Sequence, residues 1–397
     1  MPSLLIPRPN ILMILISLIL AGVIGYFLLA GSGPGPHQDI RDASIKTLKE
    51  GLENANPYVR SAAAKAIGDS QNPGLLPWVL AAFSDDDPTV RLFAVETASI
   101  ISGVTGAKIL EKGLEDPNFS VRLTTARVLS HYSGPNRERL FKKAAKDSES
   151  LVGMMALSGK TGSEGSVLPP DLLRQFERIL QMGSIQEKMV AASAMGKTKS
   201  PAVIPILGKL IRAEDASLRG ISARAMGESG MAASLPFLHA AVKDPSPEVR
   251  SEAFQAIGKL DLPGTLAILE TGITDSDELV RLSAGLGLLQ RGRVEYEPSV
   301  GEALGNADFG IRSSAARSLG ELSLRGKIVI SDDLFFRLRR GLSDPSERVR
   351  SATSRAMGMT GRLEGIASLS QLLGDPDPSV RCYAAGGILA ILGESKP

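Results

Sequence analysis

Apolar and polar positions run along this chain in two rhythms. From about Asp39 to the C-terminus, small and aliphatic residues return every three or four positions, in short stretches divided by polar turns. Val90, Ala94 and Ala98 fall on one face at i, i+4 and i+8, the spacing of a buried helix stripe. A second apolar pattern lies between such stretches, as in Leu75-Leu76-Pro77-Trp78-Val79-Leu80 and Ile204-Pro205-Ile206-Leu207. Together they predict helix pairs, each an outer helix, a short Asp-containing turn and an inner helix of about eleven residues that begins near a Val-Arg pair. The other rhythm is confined to the N-terminus, where Ile11 to Ala30 is an unbroken run of twenty uncharged residues.

The helix pairs recur with a fixed period. Arg60, Arg91 and Arg122 are spaced by 31 residues, as are Arg219, Arg250, Arg281 and Arg312, and then Arg350 and Arg381. Gly153 and Lys188 stand in the Arg place 35 apart, and Arg312 and Arg350 are 38 apart, so two insertions interrupt eleven copies of one unit. A period of this size implies a solenoid whose units bury their apolar faces only against neighbours. With helices about 8–10 Å apart, eleven units are expected to form a curved rod on the order of 100 Å long.

Seven copies carry Asp six residues before the Arg place: Asp85, Asp116, Asp147, Asp244, Asp275, Asp344 and Asp375; Asn54 and Asn306 occupy it in two others. An Asp or Asn ahead of a helix accepts the free amides of its first turn, and Pro88 just inside suits a helix start. Gly stands eight residues after the Arg place in six copies (Gly68, Gly196, Gly227, Gly258, Gly320, Gly358), where a left-handed helix end is expected. The last helix, Pro378 to Leu392, ends in Ile388-Leu389-Ala390-Ile391-Leu392 with no polar cap after it, so this end is expected to dock on something.

The recurring Asp-Pro-x-x-Val-Arg-x-x-Ala-x-x-x-Leu/Ile-Gly resembles HEAT repeats, in the short form found in phycobilisome lyases. Ser343 to Arg350 and Gly374 to Arg381 are the best copies, and the resemblance covers about nine tenths of the chain. It implies an all-α, right-handed α-solenoid of about eleven helical hairpins over residues 39–397, with insertions near 159–170 and 322–332. It also implies a structural ladder of Asp and Arg along the inter-helix turns. The residues carried into that ladder are Asp85, Arg91, Asp116, Arg122, Asp244, Arg250, Asp275, Arg281, Asp344, Arg350, Asp375 and Arg381. The stretch 147–200 departs from the pattern through Gly153, Lys188 and Met182, and is expected to be the flexible joint.

The N-terminal run is long enough at 1.5 Å per residue to cross about 30 Å of hydrocarbon. The expected order is a short tail (1–10), a transmembrane signal anchor (11–30) and a Gly/Pro linker (31–38), with the solenoid after it. A secretory signal normally has a shorter apolar core, and a lipoprotein signal would need a Cys here. Arg8 precedes the span with no acid, and Arg41 follows beside Asp39 and Asp42, which favours the N-terminus inside and the solenoid on the extracytoplasmic side.

Composition narrows the function. With 45 basic and 43 acidic residues the net charge is +2, so no strong polyelectrolyte partner is indicated, and aromatics at 4% are too sparse for a nucleic-acid face. The one cysteine, Cys382, excludes an intramolecular disulfide. The histidines His37, His131 and His239 are followed by Gln, Tyr and Ala, not by the Glu of the His-Glu pairs that hold iron in deoxyhypusine hydroxylase, another HEAT-like solenoid. No metal, cofactor or catalytic residue is expected. Gly153 to Thr161 comes near a phosphate-binding loop but has five residues between its glycines and follows no strand. A mildly basic strip five residues after the Arg place (Lys65, Arg127, Arg224, Arg317, Arg355) and the insertion residues Val167 and Leu168 are the candidate partner surface. The expectation is a membrane-anchored scaffold for protein–protein interaction that serves assembly of an envelope complex, with a chromophore or cofactor lyase-like subunit as the alternative.

Overall fold

The computed structural model describes residues 37–98, 104–160 and 168–393. The expected span 11–30 lies outside them, and among the described residues no helix is long and apolar enough to cross a membrane. The chain divides into two units, Met1–Asp42 and Ala43–Pro397. In the first, the described part opens at His37 and enters the helix Gln38–Leu52.

The second unit is all-helical among the described residues, and its inner helices follow the repeat. They are α1 (Pro57–Ser70), α2 (Pro88–Ala98), α3 (Phe119–Leu129) and α4 (Ser150–Lys160). Next come α5 (Ile185–Lys197), α6 (Ala216–Ser229), α7 (Pro247–Lys259) and α8 (Glu278–Gln290). The last three are α9 (Phe309–Leu324), α10 (Glu347–Thr360) and α11 (Pro378–Leu392). Outer helices such as Leu76–Ala82, Ile204–Leu210 and Leu235–Ala241 are shorter and often enter through a 3-10 turn that holds Pro or small residues. The Val before each Arg is buried, Val90, Val121, Val249 and Val280 among them, and so is Ala94 behind Val90.

Two positions share the work at most inner-helix starts, the first usually Asp and the second Asp, Asn or Ser. The residue four before the Arg caps the helix: Asp87 accepts from the Thr89 amide at 2.7 Å, Asp215 from Leu218 at 3.0 Å and Asp377 from Val380 at 3.0 Å. The Asp six before the Arg does not cap the helix. Asp85 takes the amide of Asp87 at 2.9 Å and Asp244 that of Ser246 at 2.9 Å, which folds the turn and leaves the carboxylate for another partner.

The glycines eight after the Arg do not end the helices. A Cβ on Gly258 would stand 2.7 Å from the Cα of Gly287 on the next inner helix, and one on Gly227 would stand 2.6 Å from the Cα of Ala256. Gly358 faces Gly387 and Gly320 faces Ala356 in the same way. Their role is backbone approach between neighbouring helices, and the left-handed conformation falls later, at Gly230 and Gly361 (φ 69° and 67°).

The expected open rod is not what forms. α11 packs on α1, so the row of inner helices closes into a ring. A Cβ on Gly386 would meet the Ala66 carbonyl at 2.6 Å, and the Arg355 guanidinium reaches Asp69 at 2.7 and 3.4 Å. Gly386 lies three residues before the position that the contact glycine holds in other units, since Leu389 occupies that place. The seam therefore closes about one helical turn out of the regular register. The apolar tail of the last helix finds its docking surface within the same chain: Ile388 and Leu389 are fully buried. Cys382 is buried against Gly51, and burial pushes its thiol up to about 12.

The weak point of the ring also differs from expectation. In 147–200 the missing Arg is offset by apolar filling, with Met154, Met155 and Met195 buried and Gly196 close on Ala225. The slightest contact between neighbouring inner helices is at α8 and α9. One contiguous core enters from α11 at Ala385 and Leu389, crosses the seam to α1, and runs on to Leu288 of α8. Buried residues beyond it, such as Ala315 and Leu319, are not part of that core.

Candidate functional site: the ladder and the inner wall

The Arg of each unit is held by two units at once. Arg91 Nη1 donates to the carbonyls of Asp85 and Asp86 in its own turn at 2.8 and 3.0 Å. Its Nε and Nη2 fork onto Asp116 of the following unit at 2.7 and 2.9 Å. Arg60 reaches Asp85, Arg122 reaches Asp147, Arg219 reaches Asp244, Arg250 reaches Asp275 and Arg350 reaches Asp375 in the same way. The expected ladder exists, but its side-chain rungs join an Arg to the next Asp, not to the Asp six residues before it. Only the backbone carbonyl of that earlier Asp is used. A bidentate fork between largely buried partners makes each rung directional.

The rungs hold across the second insertion. Arg312 meets Asp344 at 2.7 and 2.9 Å although 32 residues separate them instead of 25. The extra residues are absorbed between Leu324 and the outer helix Asp332–Arg340, with Gly326 left-handed, Val329 exposed and Ile330 buried. Two junctions lack a rung because Asn replaces Asp. Arg281 keeps its own carbonyls, Asp275 at 2.7 Å and Ser276 at 3.0 Å, while Asn306 donates to Glu278 at 2.6 Å. Arg381 likewise bonds the Asp375 and Pro376 carbonyls, and the next unit round the ring offers Asn54.

The Arg forks hold several carboxyls below the ordinary range. For Asp85 and Asp275 the bond from Arg60 or Arg250 is the leading cause. For Asp116, Asp244 and Asp344 burial pushes upward most strongly, but the arginine fork, the turn amide and neighbouring positive charge together outweigh it.

Most of the basic strip is already engaged on the ring. Arg127 pairs with Glu96 at 2.5 Å, Arg224 bonds Glu252 at 2.9 Å, and Lys65 sits 3.3 Å from Asp69. Arg355 shares that Asp69 across the seam. Burial disfavours the Arg355 charge, and Asp69 more than restores it, so its pKa is raised. Arg317 is exposed, lines the same face as Arg355, and forms no ion pair among the described residues. Leu168 is buried in the core and does not project as a contact residue; Val167 lies outside the described residues.

A model of HEAT repeats matches residues 45–130 and 204–289. The chain carries HEAT repeats. Over 167 residues it is 23% identical to an uncharacterized phycocyanin operon protein Z of Pseudanabaena tenuis (strain PCC 7409), a match covering 40% of this chain and 73% of that protein. A solved complex of CpcE and CpcF of phycocyanin lyase from Nostoc sp. PCC7120 aligns over 71% of this chain and 94% of that one, at 14% identity and a TM-score of 0.37. Human deoxyhypusine hydroxylase aligns over 72% and 96%, at 18% identity and a TM-score of 0.34. An engineered protein aligns over 88% and 99%, at 17% identity and a TM-score of 0.33.

Within the HEAT ring the near phosphate-binding sequence has no loop geometry. Gly153 to Lys160 is helical inside α4, and a Cβ on Gly153 would stand 3.1 Å from the Ala144 carbonyl. The histidines lie apart: His37 at the start of the described chain, His239 on the outer helix Leu235–Ala241, and His131 with Nε2 3.0 Å from Lys197 Nζ. Sequence reasoning missed the aromatic residues that stand beside bases near the seam. Tyr58 is 78% exposed, Phe309 lies under Arg348 at 5.8 Å, and Tyr383 lies 5.7 Å from Arg355. Their signal in the sequence was weak, because no place in the unit is regularly aromatic: Phe119 matches Phe309, Phe93 matches Tyr383, and no other copy matches Tyr58.

Proposed function

We propose that this protein is a HEAT-repeat scaffold that binds other proteins, tethered to a membrane by residues 11–30 and acting in the assembly of an envelope complex. The observation that carries this reading is the inner wall, where small and charged residues stand side by side along successive inner helices among the described residues, a surface suited to contact over a length. Such a wall suits an extended protein element. The ladder arginines are structural on this reading, and the chain is not an enzyme. The twenty uncharged residues of the N-terminal run support the tether, and the single base before it supports a solenoid outside the cytoplasm.

The test is affinity purification of the full chain from detergent-solubilised membranes, with co-purifying proteins identified. A partner in near-equal amount is expected; wild-type protein that recovers none would end the scaffold reading. An alkaline wash should leave the chain in the membrane pellet, whereas a soluble form beginning near Gly33 would show a cleaved signal. A second reading, a chromophore lyase-like subunit, is favoured by the relative from a phycocyanin operon. Tetrapyrrole absorption in the purified sample would select it.

A further inference from the structure

Closure of the ring creates a cleft that no single repeat contains. It measures about 670 Å³ and is lined by the start of α1 together with α9, α10 and the start of α11. Asn56 and Tyr58 come from the first repeat, Arg317 from α9, Arg348 and Arg355 from α10, and Tyr383 from α11. The volume lies within the usual range for ligand sites.

The groups in this cleft differ in how far the ring itself uses them. Arg355 is committed to Asp69, and Asp377 caps α11 through the Val380 amide. Asn56 caps α1 through the amide of Tyr58 at 3.0 Å. Arg317 has no acidic partner among the described residues, and Arg348 is placed only by the face of Phe309, a contact that leaves its N–H donors unspent. Glu347 offsets part of this charge. The hydroxyls of Ser351 and Ser379 also line it, whereas that of Ser313 donates to the Gly310 carbonyl at 3.1 Å.

We propose that the seam cleft binds an acidic peptide segment of a partner protein, with carboxylates on Arg317 and Arg348 and an apolar side chain against Tyr58. Exposed Tyr and Arg held together are the residue types that dominate protein–protein contacts, and a guanidinium fork matches a carboxylate in shape. The chain's near-neutral charge and few aromatics argue against a nucleic-acid strand in the same place. The inference rests on the protein-binding reading above and adds its location and chemistry.

The experiment uses the full chain in detergent and a fluorescein-labelled octapeptide of alternating glutamate and leucine, read by fluorescence anisotropy. Saturable binding is expected, with little binding of the matching lysine–leucine peptide. R317E/R348E should weaken it by roughly tenfold or more, and the milder R317Q should weaken it less. The exposed control R212E on the outer side should leave it unchanged. Circular dichroism confirms that each variant is folded, and R317Q serves if the double variant is not. Undiminished binding by the folded variants, or equally tight binding of an oligothymidylate, would overturn the proposal. Co-purification separates the two readings. A partner recovered equally by wild type and R317E/R348E sinks the cleft and leaves the scaffold standing; no partner recovered by wild type sinks the scaffold.

Discussion

The junctions on either side of α8 are built from the same repeat, yet they are joined very differently. Between α7 and α8, Arg250 forks onto Asp275 with both bonds at 2.8 Å, and Gly258 lets the backbone of Gly287 approach. Between α8 and α9, Arg281 faces a unit with Asn306, and Leu289 stands where Gly258 stands one unit earlier. Asn306 bonds Glu278 instead, and the contiguous core stops. Two side chains thus distinguish these junctions, whereas the seam, which also has Asn54 and Leu389 in those places, gains its close approach at Gly386. A neutral amide cannot take a guanidinium fork as a carboxylate does, and a leucine holds apart two backbones that glycine lets touch.

Acid should have the largest effect on this difference, because it acts on several rungs together. Asp85, Asp116, Asp244, Asp275 and Asp344 all have lowered pKa values in the folded chain. Each depressed carboxyl contributes stability that is present above its unfolded value, about 4, and is lost as pH falls through the folded value. Thermal unfolding should therefore shift little from pH 7 to about 5 and fall steeply below about 4. A melting temperature that stays flat to pH 2.5 would show that the rungs add nothing to cohesion.

Arg250→Ala tests one rung. It removes the fork and two bonds to carbonyls, and leaves Asp275 largely buried with only the Asp277 amide. A cost of about 3 kcal/mol is expected, in the range for breaking a buried pair. Arg281→Ala should cost less than about 1 kcal/mol, since its side chain is more exposed and holds no fork. Similar shifts in urea midpoint for the two would erase the distinction between the junctions.

Glycine substitution probes the second feature. Gly258→Val should destabilise by about 2 kcal/mol, because the obstructing atom is backbone. Gly305→Ala, whose new Cβ would come no nearer than 3.7 Å to the Glu302 carbonyl, should stay within about 0.5 kcal/mol. A neutral Gly258→Val would mean that α7 and α8 can move apart freely.

The smallest effect is the attempted repair. Asn306→Asp offers Arg281 a carboxylate and should stabilise by about 0.5–1 kcal/mol, less than a full rung because Glu278 is adjacent. Loss of stability instead would show that the α8–α9 spacing, and not the missing charge, sets the weakness.

Much of this was legible before any coordinates. The 31-residue period, the buried Val before each Arg and the helix pairs follow from local pattern, and the Asp–Arg ladder is what the resemblance to HEAT repeats implies. The partner within the ladder did not. Asp85 and Asp116 lie 6 and 25 residues from Arg91, and the nearer one is the obvious choice in a string of letters. In three dimensions the nearer Asp turns its carbonyl to the Arg, and its carboxylate serves the unit before. Leu168, a candidate partner-surface residue by its place in the insertion, instead buries its side chain in the core.

The sequence by itself determined the unit, because helix periodicity, capping and turn chemistry act over a few residues and every copy repeats them. Only the tertiary structure decided that the row of units closes. Ring closure depends on small rotations summed over eleven junctions, and each rotation is set by how closely two backbones approach at Gly258, Leu289 or Gly386. No local pattern carries that sum. It places the first and last inner helices side by side, gives Arg355 its partner 286 residues away, and forms the seam cleft from residues that no window of sequence holds together.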